Sequence, residues 1–314
     1  MELHRIPTST LRDGTSGASF SYRTEQADPA DEAPPGARER PIGEIIKSAN
    51  QLSNEQIDRV LQHQKERGIR FGEAAVELGV ASGNDVLWAL SQQFHYPYPA
   101  NSKSLLSSEL VTARDPFSFR SEAFRAIRSQ LMMQLFTEET GARSLAVVSP
   151  DSGDGKTYFA ANLAIAFSQL GGRTLLIDAD MRNPRQHEVF CVDNTTGLSG
   201  VLSGRTLINV IRPVEELPSL YLLPVGAVPP NPLELVERPA FGLLMRELAS
   251  KFDYVVVDTP AYAHGSDAPV IAARCDGVLT MVRSGRSSAT SLQDLTTALR
   301  SVPVRLCGVV MNEY

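Results

Sequence analysis

The segment SPDSGDGKT, residues 149–157, joins an apolar run at 145–148 to a helix-like run that begins AANLAIAF. A strand, a glycine-rich turn and a helix in that order describe a phosphate-binding loop at the edge of an α/β sheet. Gly153 and Gly155 let the backbone around Asp154 curl so that successive N–H groups turn inward. Lys156 supplies a cation, Thr157 offers a hydroxyl to a magnesium ion, and Tyr158 follows at the start of the helix. Phe159, Leu163, Phe167 and Leu170 share one face of that helix, which predicts packing on a sheet by one side. Pro150 stands where the motif's first glycine would be.

Two further apolar runs end in carboxylates: LLIDADMR, residues 175–182, with Asp178 and Asp180, and VVVDTPA, residues 255–261, with Asp258. Buried strands that stop in an aspartate deliver it to the carboxyl edge of the sheet, where ligands of open α/β folds bind. One phosphate loop and two acidic edges together describe a nucleotide and magnesium site. Apolar strand-like runs at 145–148, 174–177, 221–225, 254–257, 278–282 and 306–311 alternate with helical patterns. That alternation predicts a doubly wound, mostly parallel sheet of the P-loop NTPase type, with a small all-α domain before it.

A chain of 314 residues accommodates about two domains. Residues 1–40 are rich in small, polar and charged residues without apolar periodicity and are expected to be a disordered tail. Residues 41–100 read as a small helical repeat domain, because IGEIIKSANQLSNEQIDRVLQHQ is echoed by FGEAAVELGVASGNDVLWALSQQ; two stacked helical hairpins fit that length. A linker at 101–120 and a nucleotide domain at 121–314 follow, with Ser121 as the expected cap of the first helix. The formal charge of -6 argues against a nucleic-acid partner. Cys191, Cys275 and Cys307 are odd in number and widely spaced, as reduced core thiols would be. With no signal-like amino terminus and no run of ~20 apolar residues, the expectation is a cytoplasmic protein whose membrane association comes from a partner.

From Ser121 to Tyr314 the chain resembles the bacterial tyrosine kinases of capsule and exopolysaccharide synthesis. The resemblance rests on the phosphate loop, LLIDADMRNPRQH, GLSGVLSG, LLPVGAVPPNPLELV, FDYVVVDTPAY, SDAPVIAARCDGVLTMVRSG and GVVMNEY. With the amino-terminal repeat included, the whole chain looks like the EpsG-type subgroup associated with chain-length determination. The resemblance implies an ATP- and Mg2+-dependent protein tyrosine kinase activated by a Wzz-like membrane chain-length determinant. It also implies roles: Lys156 on the terminal phosphates, Thr157, Asp180 and Asp258 at the metal, and Asp178 or Asp180 as base toward a tyrosine hydroxyl. Asn312 is implied at the adenine, or is a strand-end turn residue. Glu122, Arg125 and Arg128 match the family's ExxRxxR subunit-contact motif, which implies a homo-oligomer; an intrahelical ion pair is the other reading.

The amino-terminal repeat resembles a domain of type II secretion and type IV pilus assembly ATPases, some of which bind cyclic di-GMP, and Arg70-Phe71-Gly72 matches the start of its ligand motif. Two departures from the kinase pattern stand out. The tyrosine-rich carboxyl tail is absent, so the acceptor is expected to be a separate protein with weak self-phosphorylation at Tyr314. Asp151 occupies the position where partitioning and septum-site ATPases carry a signature lysine. The first departure leaves open a second function class, a nucleotide-switched scaffold with little phosphate transfer, and the second argues against an intracellular-positioning ATPase.

Overall fold

The computed structural model describes residues 41–93, 106–205 and 209–313, so the tail expected at 1–40 lies outside the described residues, as does Tyr314. The described chain opens with helices α1 (Ile42–Asn50), α2 (Asn54–Arg67), α3 (Phe71–Glu77) and α4 (Gly83–Gln93). Local chemistry sets their starts. Ser53 and Gln56 cap α2 reciprocally, and Ser82 and Asp85 do the same for α4. Ile46, Val60, Ala74 and Ala89 close a core belonging to these helices. The two repeats are not self-contained hairpins, however: α1 packs mainly on α4, and α2 on α3. Most of the packing therefore runs between the repeats, with a smaller contact between α3 and α4 inside the second one.

Two helices, α5 (Val111–Arg114) and α6 (Phe119–Gln134), precede the sheet. Its strands are β1 (Ser144–Val148), β2 (Thr174–Asp178), β3 (Arg212–Pro213), β4 (Leu220–Leu223), β5 (Tyr254–Asp258), β6 (Gly277–Arg283) and β7 (Arg305–Asn312). They lie in the order β3-β4-β2-β5-β1-β6-β7, all parallel except the short antiparallel β3 at one edge. Interleaved with them are α7 (Lys156–Ser168), α8 (Gln186–Val189), α9 (Leu198–Leu202), α10 (Pro232–Glu237), α11 (Pro239–Lys251), α12 (Asp267–Ala272) and α13 (Ala289–Arg300). Strand residues alternate between two cores. Leu145 and Val147 face the layer of α5, α6 and α7, whereas Ala146 and Val148 face that of α11, α12 and α13. This is the doubly wound α/β architecture that the strand and helix alternation implies.

Three expectations change on this side of the sheet. Residues 106–120 are not a free linker: Leu106, Leu110 and Ala113 are buried in the nucleotide-domain core, and Asn162 of α7 accepts the Thr112 N–H at 2.9 Å. Helix α6 starts at Phe119 under a Ser118 cap; Ser121 is buried and its hydroxyl donates to the Asp115 carbonyl at 2.6 Å. Helix α7 is buried on nearly every side from Phe159 to Ser168, because α5 and α6 cover the face turned away from the sheet. Leu170, expected on its apolar face, lies beyond the helix and is exposed. Of the cysteines only Cys275 is a buried core thiol; Cys307 is partly buried and Cys191 is exposed at a turn. None of the described helices is long and apolar enough to cross a membrane.

Candidate nucleotide and catalytic site

Parallel pairing explains why the acidic motifs converge. In the ladder Asp178 of β2 stands beside Asp258 of β5, and Asp258 beside Val147 of β1, one strand away from the phosphate loop. The loop leaves β1, turns at Gly153 and Gly155, whose φ angles of 86° and 96° favour glycine, and enters α7 at Lys156. The first N–H groups of that helix have no intrahelical acceptor, so the loop is built to receive an anion. Lys156 is buried beside the carboxylates, and its Nζ donates to Ser149 Oγ at 3.0 Å. Pro150, the departure from the motif, keeps a role through its carbonyl, which accepts the Ala263 N–H at 2.9 Å.

The carboxylates differ in their surroundings. Asp178 is fully enclosed and accepts N–H groups from Asp180 at 3.2 Å and from Arg185 and Gln186 at 3.0 Å each. Burial holds its carboxyl well above the usual carboxylate range, with the negative charge of Asp258 acting in the same direction and the backbone donors opposing it. Burial pushes Asp258 up to about 6, against the pull of the Lys156 ammonium, of the Gln186 hydrogen bond and of the nearby Thr157 hydroxyl. Its Oδ2 accepts from Gln186 Nε2 at 2.8 Å, while Oδ1 is buried without a partner. Asp180 reaches the rim of the site, where its Oδ1 accepts N–H groups of Arg182 and Asn183. The Arg182 side chain turns away to pair with buried Asp267 at 3.0 Å.

The loop also has supports that its motif does not announce. The Asp154 side chain is buried and shapes the loop, accepting the Ser287 hydroxyl at 2.8 Å and the Asp151 N–H at 3.0 Å. Arg283 donates to the Gly153 carbonyl at 3.3 Å, and Asn312 Nδ2 donates to the Asp154 carbonyl at 3.1 Å. The sequence signal for Arg283 and Ser287 was the VRSGRSS turn after β6, which carries no recognisable site pattern. Tyr158 packs on Phe124, with ring centroids 6.0 Å apart, and lines with Asn312, Phe119 and Met311 a groove of about 230 Å³ beside the loop. The candidate nucleotide contacts are thus brought together.

The other expected sites lie elsewhere. On α6, Arg125 Nη2 pairs with exposed Glu122 at 2.6 Å and its Nη1 donates to the Pro116 carbonyl, while Arg128 donates to the Ala166 carbonyl of α7 at 2.7 Å. The intrahelical pair is therefore present, and both arginines also tie the helix to its own domain. Arg70 is exposed at the start of α3. Gly72 serves packing: a Cβ there would stand 2.5 Å from Val86 Cγ1 on α4, so its small size brings the two helices together.

A phosphate loop at the centre of a parallel sheet, with acidic strand ends beside it, defines a P-loop nucleotide-binding domain. Residues 145–314 match the family model of the CobQ/CobB/MinD/ParA nucleotide binding domain. The chain is 31% identical over 212 residues to the tyrosine-protein kinase YwqD of Bacillus subtilis, covering 68% of this chain and 89% of YwqD. It is 32% identical over 193 residues to the tyrosine-protein kinase CpsD of Streptococcus agalactiae, covering 61% of this chain and 82% of CpsD. The solved kinase domain of the Escherichia coli tyrosine kinase ETK superposes with a TM-score of 0.63 at 29% identity, covering 68% of this chain and 82% of that one. The chain belongs to the bacterial tyrosine-protein kinases, within the CobQ/CobB/MinD/ParA nucleotide-binding family.

Proposed function

We propose that the chain is an ATP- and Mg2+-dependent protein tyrosine kinase that works with a membrane chain-length determinant in exopolysaccharide synthesis. The observation that carries this reading is the buried cluster of Lys156, Asp178 and Asp258 beside the phosphate loop, with Asp258 Oδ1 left without a donor. Magnesium suits this donor set. Among the described residues no group of three His, Cys, Asp or Glu could by itself hold a metal ion. Thr157, the carboxylates, phosphate oxygens and water make up the mixture that Mg2+ accepts, since it keeps several waters.

When bound, the ion would supply charge neutralisation for the phosphoryl group being transferred. Thr157 and Asp180 would ligate it, and Asp258 would hold it through water. Lys156 bridges the terminal phosphates, and the loop amides orient them in line with the acceptor oxygen. Asp178 or Asp180 takes the tyrosine hydroxyl proton as the new O–P bond forms and the bond to ADP breaks. The adenine occupies the groove lined by Tyr158 and Asn312.

The acceptor is a tyrosine of a separate protein, with Tyr314 a minor site. Glu122, Arg125 and Arg128 serve subunit contact in a homo-oligomer, and the protein is cytoplasmic, held at the inner face of the membrane by its activator. Residues 41–93 form a docking domain; for cyclic di-GMP, exposed Arg70 is the candidate phosphate contact, testable by calorimetry on the full chain. Phosphotyrosine formation with ATP, Mg2+ and the partner's cytosolic segment tests the kinase reading. Nucleotide binding with no phosphotyrosine would replace it with a scaffold.

A further inference from the structure

Gln186, in the short helix α8, has a fully buried side chain at the meeting point of the three motifs. Its Nε2 donates to Asp258 Oδ2 at 2.8 Å and to the Thr157 carbonyl at 3.1 Å, and its backbone N–H donates to Asp178 Oδ2 at 3.0 Å. A backbone carbonyl only accepts, so the amide orientation is fixed by this pair of contacts. That orientation leaves Gln186 Oε1 buried without a donor, as Asp258 Oδ1 is. Unpaired buried acceptors are costly. Two of them on side chains joined by one hydrogen bond mark a place that requires donors, and water on a divalent cation supplies them.

We propose that Gln186 is a positioning residue for the metal. It holds Asp258 by Oδ2, which leaves Asp258 Oδ1 and its own Oε1 as acceptors for the ion's water. It also ties both to the helix that carries Thr157. This role rests on the reading of Thr157 and Asp258 as the Mg2+ site. Partners that orient metal-binding groups change metal affinity by about 10- to 100-fold when removed.

Gln186→Leu removes donor and acceptor at similar volume. Fluorescent ADP is titrated into the full chain in EDTA and across a Mg2+ series, and Mn2+ bound to the ADP complex is measured by electron paramagnetic resonance. The expected result is a Mg2+ midpoint raised about tenfold or more with matching loss of bound Mn2+, while affinity in EDTA stays within about twofold of wild type. An unchanged midpoint, or an equal loss in EDTA, overturns the proposal. Gln186→Met is the second variant should Gln186→Leu not fold, and failure of both to fold assigns the residue to the core and overturns it too. If wild type itself shows no Mg2+ dependence, or Asp258→Asn leaves that dependence intact, the failure belongs to the metal-site reading.

Discussion

The Lys156 ammonium is the strongest influence holding Asp258 down against its burial. Lys156→Ala is expected to weaken ATP binding about 10- to 100-fold, the loss of a charged hydrogen bond in a site screened from water, as measured by calorimetry. Asp258 makes the apo protein's stability depend on pH. Its folded pKa of about 6 lies above the ordinary value of 3.8, so between these values the folded state binds the extra proton. The stability from that protonation is present below about pH 4 and is lost as pH rises through about 6. In EDTA, Asp258→Asn should therefore be more stable than wild type by about 1–3 kcal/mol at pH 7.5, with the gap closing near pH 4. Denaturant unfolding at the two pH values checks this, and equal gaps at both would sink it.

At the scale of elements, α7 shows how tertiary covering changes what periodicity means. Phe159, Leu163 and Phe167 mark an apolar side, yet Ala160, Ala164 and Ile165 are equally buried, because the strap at 106–120 and α6 close over the helix. The α3–α4 contact makes the opposite demand, for the absence of a side chain. Gly72→Ala places a methyl group against Val86 and is expected to destabilise the amino-terminal helices by about 1–3 kcal/mol. Thermal melting followed by circular dichroism should resolve that loss while nucleotide affinity in the same sample stays unchanged.

For the whole molecule, the ExxRxxR helix ties its own domain together and is also the proposed subunit contact, two roles that one substitution would confuse. Arg125 and Arg128 hold carbonyls of their own domain, whereas Glu122 is exposed. Glu122→Lys should therefore weaken self-association, read by sedimentation with ATP and activator, without a measurable change in melting temperature. Arg128→Ala should lower stability by about 1–2 kcal/mol as well as assembly, since it strips the Ala166 carbonyl of its donor. Unaltered sedimentation of Glu122→Lys against an oligomeric wild type would remove the interface role.

What the chain announces by itself are features written in consecutive residues. The strand, loop and helix around Lys156, the carboxylates that end β2 and β5, and the alternation that builds a parallel sheet follow from side-chain period and turn chemistry. These act over a few residues and need no distant partner. Only the tertiary structure decided which groups support the site. Gln186 meets Asp258 across 72 residues, Ser287 meets Asp154 across 133, and Asn312 meets the loop across 158. The same holds for the burial of Leu106, Leu110 and Ala113, for the fate of Gly72 as a packing surface, and for the exposure of Cys191. Such contacts depend on which strands lie side by side and which helices cover them, and a local pattern carries no information about either.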